Sequence, residues 1–144
     1  MRIVSKSLLD TEKIAKDFIE KISVGVYDTA LVVGLYGDLG SGKTTFTQAI
    51  AKIFDIKEDI TSPTYVIEKI YDINKRNFKK LIHVDAYRLD SAKELLILDW
   101  DKTLCDSRNI IFIEWPERVL KVLPKNHAKV YFKFISENER EIQI

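Results

Sequence analysis

Gly37-Asp38-Leu39-Gly40-Ser41-Gly42-Lys43-Thr44 matches the pattern G-x-x-x-x-G-K-[ST] at every fixed position. Glycines at this spacing let the backbone curl with its N–H groups inward, and a following helix adds the positive end of its dipole. The natural ligand is an anion rich in phosphate oxygens. Lys43 is the point charge expected at the β- and γ-phosphates of a nucleoside triphosphate such as ATP, and the Thr44 hydroxyl is the oxygen expected on a bridging Mg²⁺ ion. The predicted nucleotide-binding set therefore runs through Gly37, Asp38, Leu39, Gly40, Ser41, Gly42, Lys43, Thr44 and Thr45.

Phosphoryl transfer also needs an acidic group at a strand end beside such a loop. Two positions qualify: Asp85, after Leu81-Ile82-His83-Val84, and Glu114, after Ile110-Ile111-Phe112-Ile113. Glu114 follows the cleaner apolar run and is assigned to the metal side, which leaves Asp85 to orient or activate the attacking water. A third element is Thr61-Ser62-Pro63-Thr64-Tyr65, where Pro63 restricts its own φ, biases Ser62 toward extended geometry and presents Thr64 just before a strand. On these residues alone, a plain strand-entry turn explains it as well.

These groups need a scaffold of alternating strands and helices. Residues 30–36 form a nearly continuous apolar run, as in a strand covered on both faces, and residues 44–54 carry Phe46, Ile50, Ile53 and Phe54 at helical spacing, so the loop lies between strand and helix. Upstream, Ile14, Ala15, Phe18, Ile19 and Ile22 define an amphipathic helix over 11–22 with Asp10 as its cap. Residues 65–71 and 78–87 read as a hairpin around the polar turn 72–77. Ser91 and Glu94 have capping-box spacing before a short helix, residues 110–113 form another buried strand, and 129–135 with 141–144 form a closing hairpin. The expected fold is α/β: three layers, with a mixed, mostly parallel central sheet and hairpin-linked strands.

Composition agrees with one soluble domain over 1–144: 46% of residues are hydrophobic, 31% are charged, and there are only five glycines and three prolines. The net charge of +1 lacks the strong positive field of a stand-alone nucleic-acid binder, so any RNA role is expected to be indirect. Cys105 has no second cysteine to pair with, Met1 is not followed by a leader-like segment, and no apolar run reaches membrane-spanning length. A cytoplasmic protein with no membrane partner is expected. His83, His127 and Cys105 are too scattered for a zinc site.

Four blocks in order and spacing resemble the TsaE family: residues 37–46 as GDLGSGKTTF, Ser62-Pro63-Thr64-Tyr65, the run from His83 to Leu89, and Ile113-Glu114-Trp115-Pro116-Glu117. The resemblance covers about residues 10–117. It implies a small P-loop ATPase working with the TsaB and TsaD proteins in making threonylcarbamoyladenosine at position 37 of tRNAs that read codons beginning with A. It further implies that Lys43 and the loop amides hold the triphosphate, that Thr44 and Glu114 bind Mg²⁺, and that Asp85 and Thr64 serve hydrolysis. The tRNA is expected to be reached only through the complex. Trp115 is similarly a family position near the nucleotide, although read alone it suits packing better. Thr11 matches a family position near the base and is equally well explained as a first-turn threonine. The chain departs from the family at residues 98–103, where Asp101 is kept and Lys102 reverses the sign of an acidic pair.

Two other classes share these motifs. A small-molecule kinase also uses a P-loop, but 144 residues leave little room for an acceptor site and lid. A nucleotide-gated interaction module would tolerate loss of hydrolysis. A GTPase is disfavoured, because Asn74-Lys75-Arg76-Asn77 ends in asparagine where a guanine reader needs aspartate. No arginine is assignable to the transition-state charge from sequence; Arg88 and Arg118 are the candidates.

Overall fold

A computed structural model of the chain describes residues 1–61 and 67–144. Seven strands, β1 (Arg2–Ser5), β2 (Leu31–Tyr36), β3 (Glu68–Lys75), β4 (Phe78–Asp85), β5 (Asn109–Glu114), β6 (Ala128–Phe134) and β7 (Arg140–Gln143), form one sheet in the order β1-β7-β6-β2-β5-β4-β3. The four central strands, β6, β2, β5 and β4, run parallel, and the flanking pairings β1–β7, β7–β6 and β4–β3 are antiparallel. The mixed sheet expected from sequence is thus built from a parallel centre and hairpin margins.

The helices are α1 (Leu8–Ile22), α2 (Lys43–Ile53), α3 (Lys93–Leu96) and α4 (Trp100–Cys105), with 3-10 turns at Pro116–Arg118 and Leu120–Val122. Residues 31–35 of β2 and 110–113 of β5 are apolar and buried because both faces of these strands are covered. On one face Val33, Leu35, Phe112 and Phe132 pack with Ile14, Phe18, Phe46 and Ile50 of α1 and α2. On the other, Val32, Ile82, Ile111 and Ile113 pack with Leu95, Trp100, Val119 and Leu123. These are the three expected layers. β6 buries only alternate residues, Val130 and Phe132, as a strand with one covered face does.

Several boundaries differ from the sequence reading. α1 begins three residues earlier and is capped by Ser7, whose side chain accepts from the Asp10 amide at 3.1 Å; Asp10 instead accepts from the Lys6 amide at 2.9 Å. The β3–β4 connection is only Arg76-Asn77, both at positive φ (55° and 70°), because a two-residue turn of this kind suits strand twist. Half of the Ser91–Glu94 capping box forms: Glu94 Oε2 accepts from the Asp90 and Ser91 amides, but the helix starts at Lys93 with no side-chain cap. Two elements were not foreseen. β1 is a four-residue edge strand held by β7, and α4 lies in the segment where the chain departs from the family pattern, with Trp100 fully buried and its Nε1 donating to Val122 O at 3.0 Å.

Candidate functional site

Strand β2 delivers the chain into the glycine-rich turn at the carboxyl ends of the parallel strands, where open α/β sheets bind ligands. Gly37 has φ 149°, and a Cβ there would sit 2.5 Å from Phe132 O of β6, so only glycine fits between the loop and the neighbouring strand. At Gly42, φ is 105° and a Cβ would lie 2.7 Å from Arg140 Nη1 of β7. Gly42 is also the N-cap of α2 and offers no side-chain cap, so the first-turn amides of α2 have no capping side chain.

Lys43 is the first residue of α2 and is buried. Its Nζ donates to Gly37 O at 2.6 Å and Asp38 O at 2.8 Å and stands 4.5 Å from the Trp115 ring centroid. The lysine therefore knits the loop into a closed turn and caps an aromatic face. Burial pulls its pKa below the ordinary lysine value, opposed by the charges of Glu114, Glu117, Asp85 and Asp38.

The two carboxylates predicted from sequence are brought side by side. Strands β4 and β5 run parallel in a register that sets Asp85 opposite Glu114, and both side chains are buried. Glu114 Oε1 accepts from Thr44 Oγ1 at 3.1 Å and from His83 Nε2 at 2.9 Å. Asp85 Oδ1 accepts from the Tyr87 amide at 2.9 Å. Among the described residues no group of three or more His, Cys, Asp or Glu could hold a metal unaided. Thr44 and Glu114 fit the sparse protein share of a Mg²⁺ site, because Mg²⁺ is commonly held by one or two protein oxygens together with substrate phosphates.

A cavity of about 420 Å³ joins these groups, walled by Leu39, Gly40, Gly42, Lys43, Thr44 and Thr45 from the loop and α2, Asp85 and Glu114 from the strand ends, and Tyr87, Trp115 and Arg140. Trp115, which follows β5, has φ 59°, a left-handed value costly for a bulky residue, and its ring meets Tyr87 at a centroid distance of 5.0 Å. Gly37 and Asp38 do not line the cavity; their carbonyls hold Lys43, which does. Ser41, within the loop, is buried and does not line the cavity, and its Oγ has no partner among the described residues.

Two further predicted site residues are not among the described residues of the cavity wall. Thr11 is buried at the start of α1, with its Oγ1 2.7 Å from Ser5 Oγ and 3.3 Å from Ser7 O, and it does not line this cavity. Thr64 lies outside the described residues, as do its neighbours Ser62, Pro63 and Tyr65. Neither Arg88 nor Arg118 lines this cavity, although Arg118 lies 5.5 Å from the ring of Tyr87, which does; the arginine in the wall is Arg140. Sequence reasoning missed Arg140 because only the antiparallel β6–β7 hairpin carries that remote residue back to Gly42. It also passed over Tyr87 and His83, whose signal was their place in the same strand-end block as Asp85.

Comparison with known proteins shows the family and agrees with the fold. The family profile described as "Threonylcarbamoyl adenosine biosynthesis protein TsaE" matches residues 5–142. The tRNA threonylcarbamoyladenosine biosynthesis protein TsaE of Borreliella burgdorferi is 42% identical over 102 residues, covering 70% of this chain and 72% of that protein. The protein of the same name from Treponema pallidum is 30% identical over 144 residues, covering 100% of this chain and 99% of the relative. The crystal structure of Bacillus subtilis YdiB superimposes with a TM-score of 0.71 at 27% identity, covering 99% of this chain and 82% of that one.

Proposed function

This chain belongs to the TsaE family of threonylcarbamoyl adenosine biosynthesis proteins, and on that premise we propose that it is the Mg²⁺-dependent, ATP-hydrolysing component of the tRNA threonylcarbamoyladenosine machinery, acting in the cytoplasm with TsaB and TsaD. One observation carries the catalytic part of the reading. Lys43, the Thr44–Glu114 pair 3.1 Å apart, and Asp85 converge on one cavity at the carboxyl ends of adjacent parallel strands.

In this reading the loop amides and Lys43 receive the β- and γ-phosphates, and Lys43 exchanges its two carbonyl partners for phosphate oxygens. Thr44 and Glu114 would hold Mg²⁺, which would supply positive charge against the phosphate oxygens. Asp85 orients the attacking water and takes up its proton as the oxygen–phosphorus bond forms and the bond to the bridging oxygen of ADP breaks. Arg140 adds a cation from β7, and Tyr87 and Trp115 wall the cavity. Among the described residues no helix is long and apolar enough to cross a membrane. The tRNA is reached through the partner proteins.

The test is phosphate release from ATP by the purified chain, alone and with TsaB and TsaD, in wild type and Asp85→Asn. Hydrolysis is expected to be slow alone, raised by the partners, and lowered about 100-fold or more in the variant while ATP affinity stays within about threefold. Absence of nucleotide binding under every condition would overturn the reading; full activity in isolation would remove partner control.

A further inference from the structure

His83 is fully buried on β4, and among the described residues its ring has a single polar contact, Nε2 to Glu114 Oε1 at 2.9 Å. Its Nδ1 has no hydrogen-bond partner among the described residues. An imidazole buried with one nitrogen unpartnered is costly, and an apolar side chain would serve β4 better if packing were the only demand. What the histidine supplies is its bond to Glu114. Because an ionised carboxylate only accepts, Nε2 carries the hydrogen and donates.

The register explains why this contact forms. His83 lies opposite Phe112, and Asp85 lies opposite Glu114, so His83 sits two residues before Asp85 and reaches Glu114 diagonally from the neighbouring strand. Glu114 Oε1 thus has two donors on separate elements, Thr44 Oγ1 from α2 and His83 Nε2 from β4. Two donors from different directions fix the position of that oxygen. If Thr44 is engaged by the Mg²⁺–nucleotide complex, the bond from His83 is the one that continues to hold Glu114. Outer-shell partners of metal-binding carboxylates act in this way and strongly affect metal affinity.

Resting on the assignment of Thr44 and Glu114 to the Mg²⁺ side, we propose that His83 is a positioning residue that locks the Glu114 carboxylate and so sets how strongly Mg²⁺ promotes nucleotide binding.

The experiment compares the affinity of a fluorescent, non-hydrolysable ATP analogue in saturating Mg²⁺ with that in EDTA, for wild type, His83→Leu, His83→Asn and His83→Gln. Circular dichroism and the thermal midpoint report folding. The ratio of the two affinities is expected to fall about tenfold in His83→Leu and in His83→Asn, whose amide is too short to reach Glu114, with the EDTA affinity unchanged. His83→Gln, which places an amide N–H where Nε2 stood, is expected to keep the ratio within about threefold of wild type. In a Glu114→Gln background, His83→Asn should lower the ratio no further. An unchanged ratio in the folded Leu or Asn variant would overturn the proposal, as would an equal loss with and without Mg²⁺. Should wild type bind nucleotide equally well with and without Mg²⁺, the assignment of Thr44 and Glu114 fails first, and the role of His83 with it.

Discussion

Lys43 Nζ stands 4.5 Å over the Trp115 ring while donating to the carbonyls of Gly37 and Asp38. The lysine assigned to phosphate is thus engaged by the loop's own backbone and by an aromatic face. On the proposed reading, phosphate oxygens compete for the same ammonium, and nucleotide binding would alter the charge next to the indole. The chain has two tryptophans, and the other, Trp100, is fully buried in the second core layer. Addition of ATP is expected to change tryptophan emission in wild type and in Trp100→Phe, but not in Trp115→Phe. Lys43→Ala is expected to weaken ATP binding by about 100-fold, through loss of a charge-assisted contact to phosphate. Fluorescence titration checks both, and an unaltered response in Trp115→Phe would sink the first.

Arg140 offers a separate test of how the cavity is assembled. Its guanidinium occupies the space that a Cβ on Gly42 would enter, so the β6–β7 hairpin and the glycine-rich loop fit one another. Arg140→Ala is expected to weaken ATP binding by about tenfold, the scale of one charge-assisted contact, and Arg140→Lys to recover part of the loss. Gly42→Ala should be worse than either, since it puts a Cβ on a residue at φ 105° and also pushes the Arg140 guanidinium aside. Isothermal titration with ATP in Mg²⁺ distinguishes the three.

The parts of this site that were legible in the sequence are those whose chemistry is local. Gly37 to Thr44 is contiguous, and its strand and helix announce themselves by burial and periodicity. Asp85 and Glu114 were found because each closes an apolar run, and parallel pairing of β4 with β5 then sets them opposite one another. Arg140 carried no such signal, because its place follows from β6 lying beside β2, a tertiary relationship. Helix α4 was missed for another reason: Asp99-Trp100-Asp101-Lys102 shows no helical period, and its anchor is the single buried Trp100. Asp10 was read as the cap of α1 because it precedes the first periodic apolar residue, whereas Ser7 satisfies the first-turn amide and exposed Leu8 and Leu9 extend the helix.

Trp100 is expected to matter for stability. Its ring is fully buried, and Nε1 donates to Val122 O at 3.0 Å, tying α4 to the 3-10 turn Leu120–Val122. Trp100→Ala is expected to cost about 3–5 kcal/mol, from the cavity and the lost aromatic packing. Trp100→Phe keeps most of the apolar contact and leaves the Val122 carbonyl without this donor, so its expected cost is about 1–2 kcal/mol. Urea unfolding followed by circular dichroism measures both, and equal losses would mean that the hydrogen bond, rather than the packing, dominates.

Glu68, at the start of β3, is half-buried, and its Oε2 has no partner among the described residues. Burial raises its carboxyl above the ordinary value of 4.5. The folded protein therefore binds this proton more tightly than the unfolded chain does. The stabilising share of protonated Glu68 is complete below about pH 4.5 and is lost as pH rises through the elevated folded value, so at neutral pH the ionised side chain opposes folding. Glu68→Gln removes the titration while keeping the shape. Its unfolding midpoint is expected to exceed that of wild type at pH 7, and the difference should shrink toward pH 4. Thermal unfolding of both proteins across that range is the check; a difference independent of pH would show that Glu68 acts through packing and not through its charge.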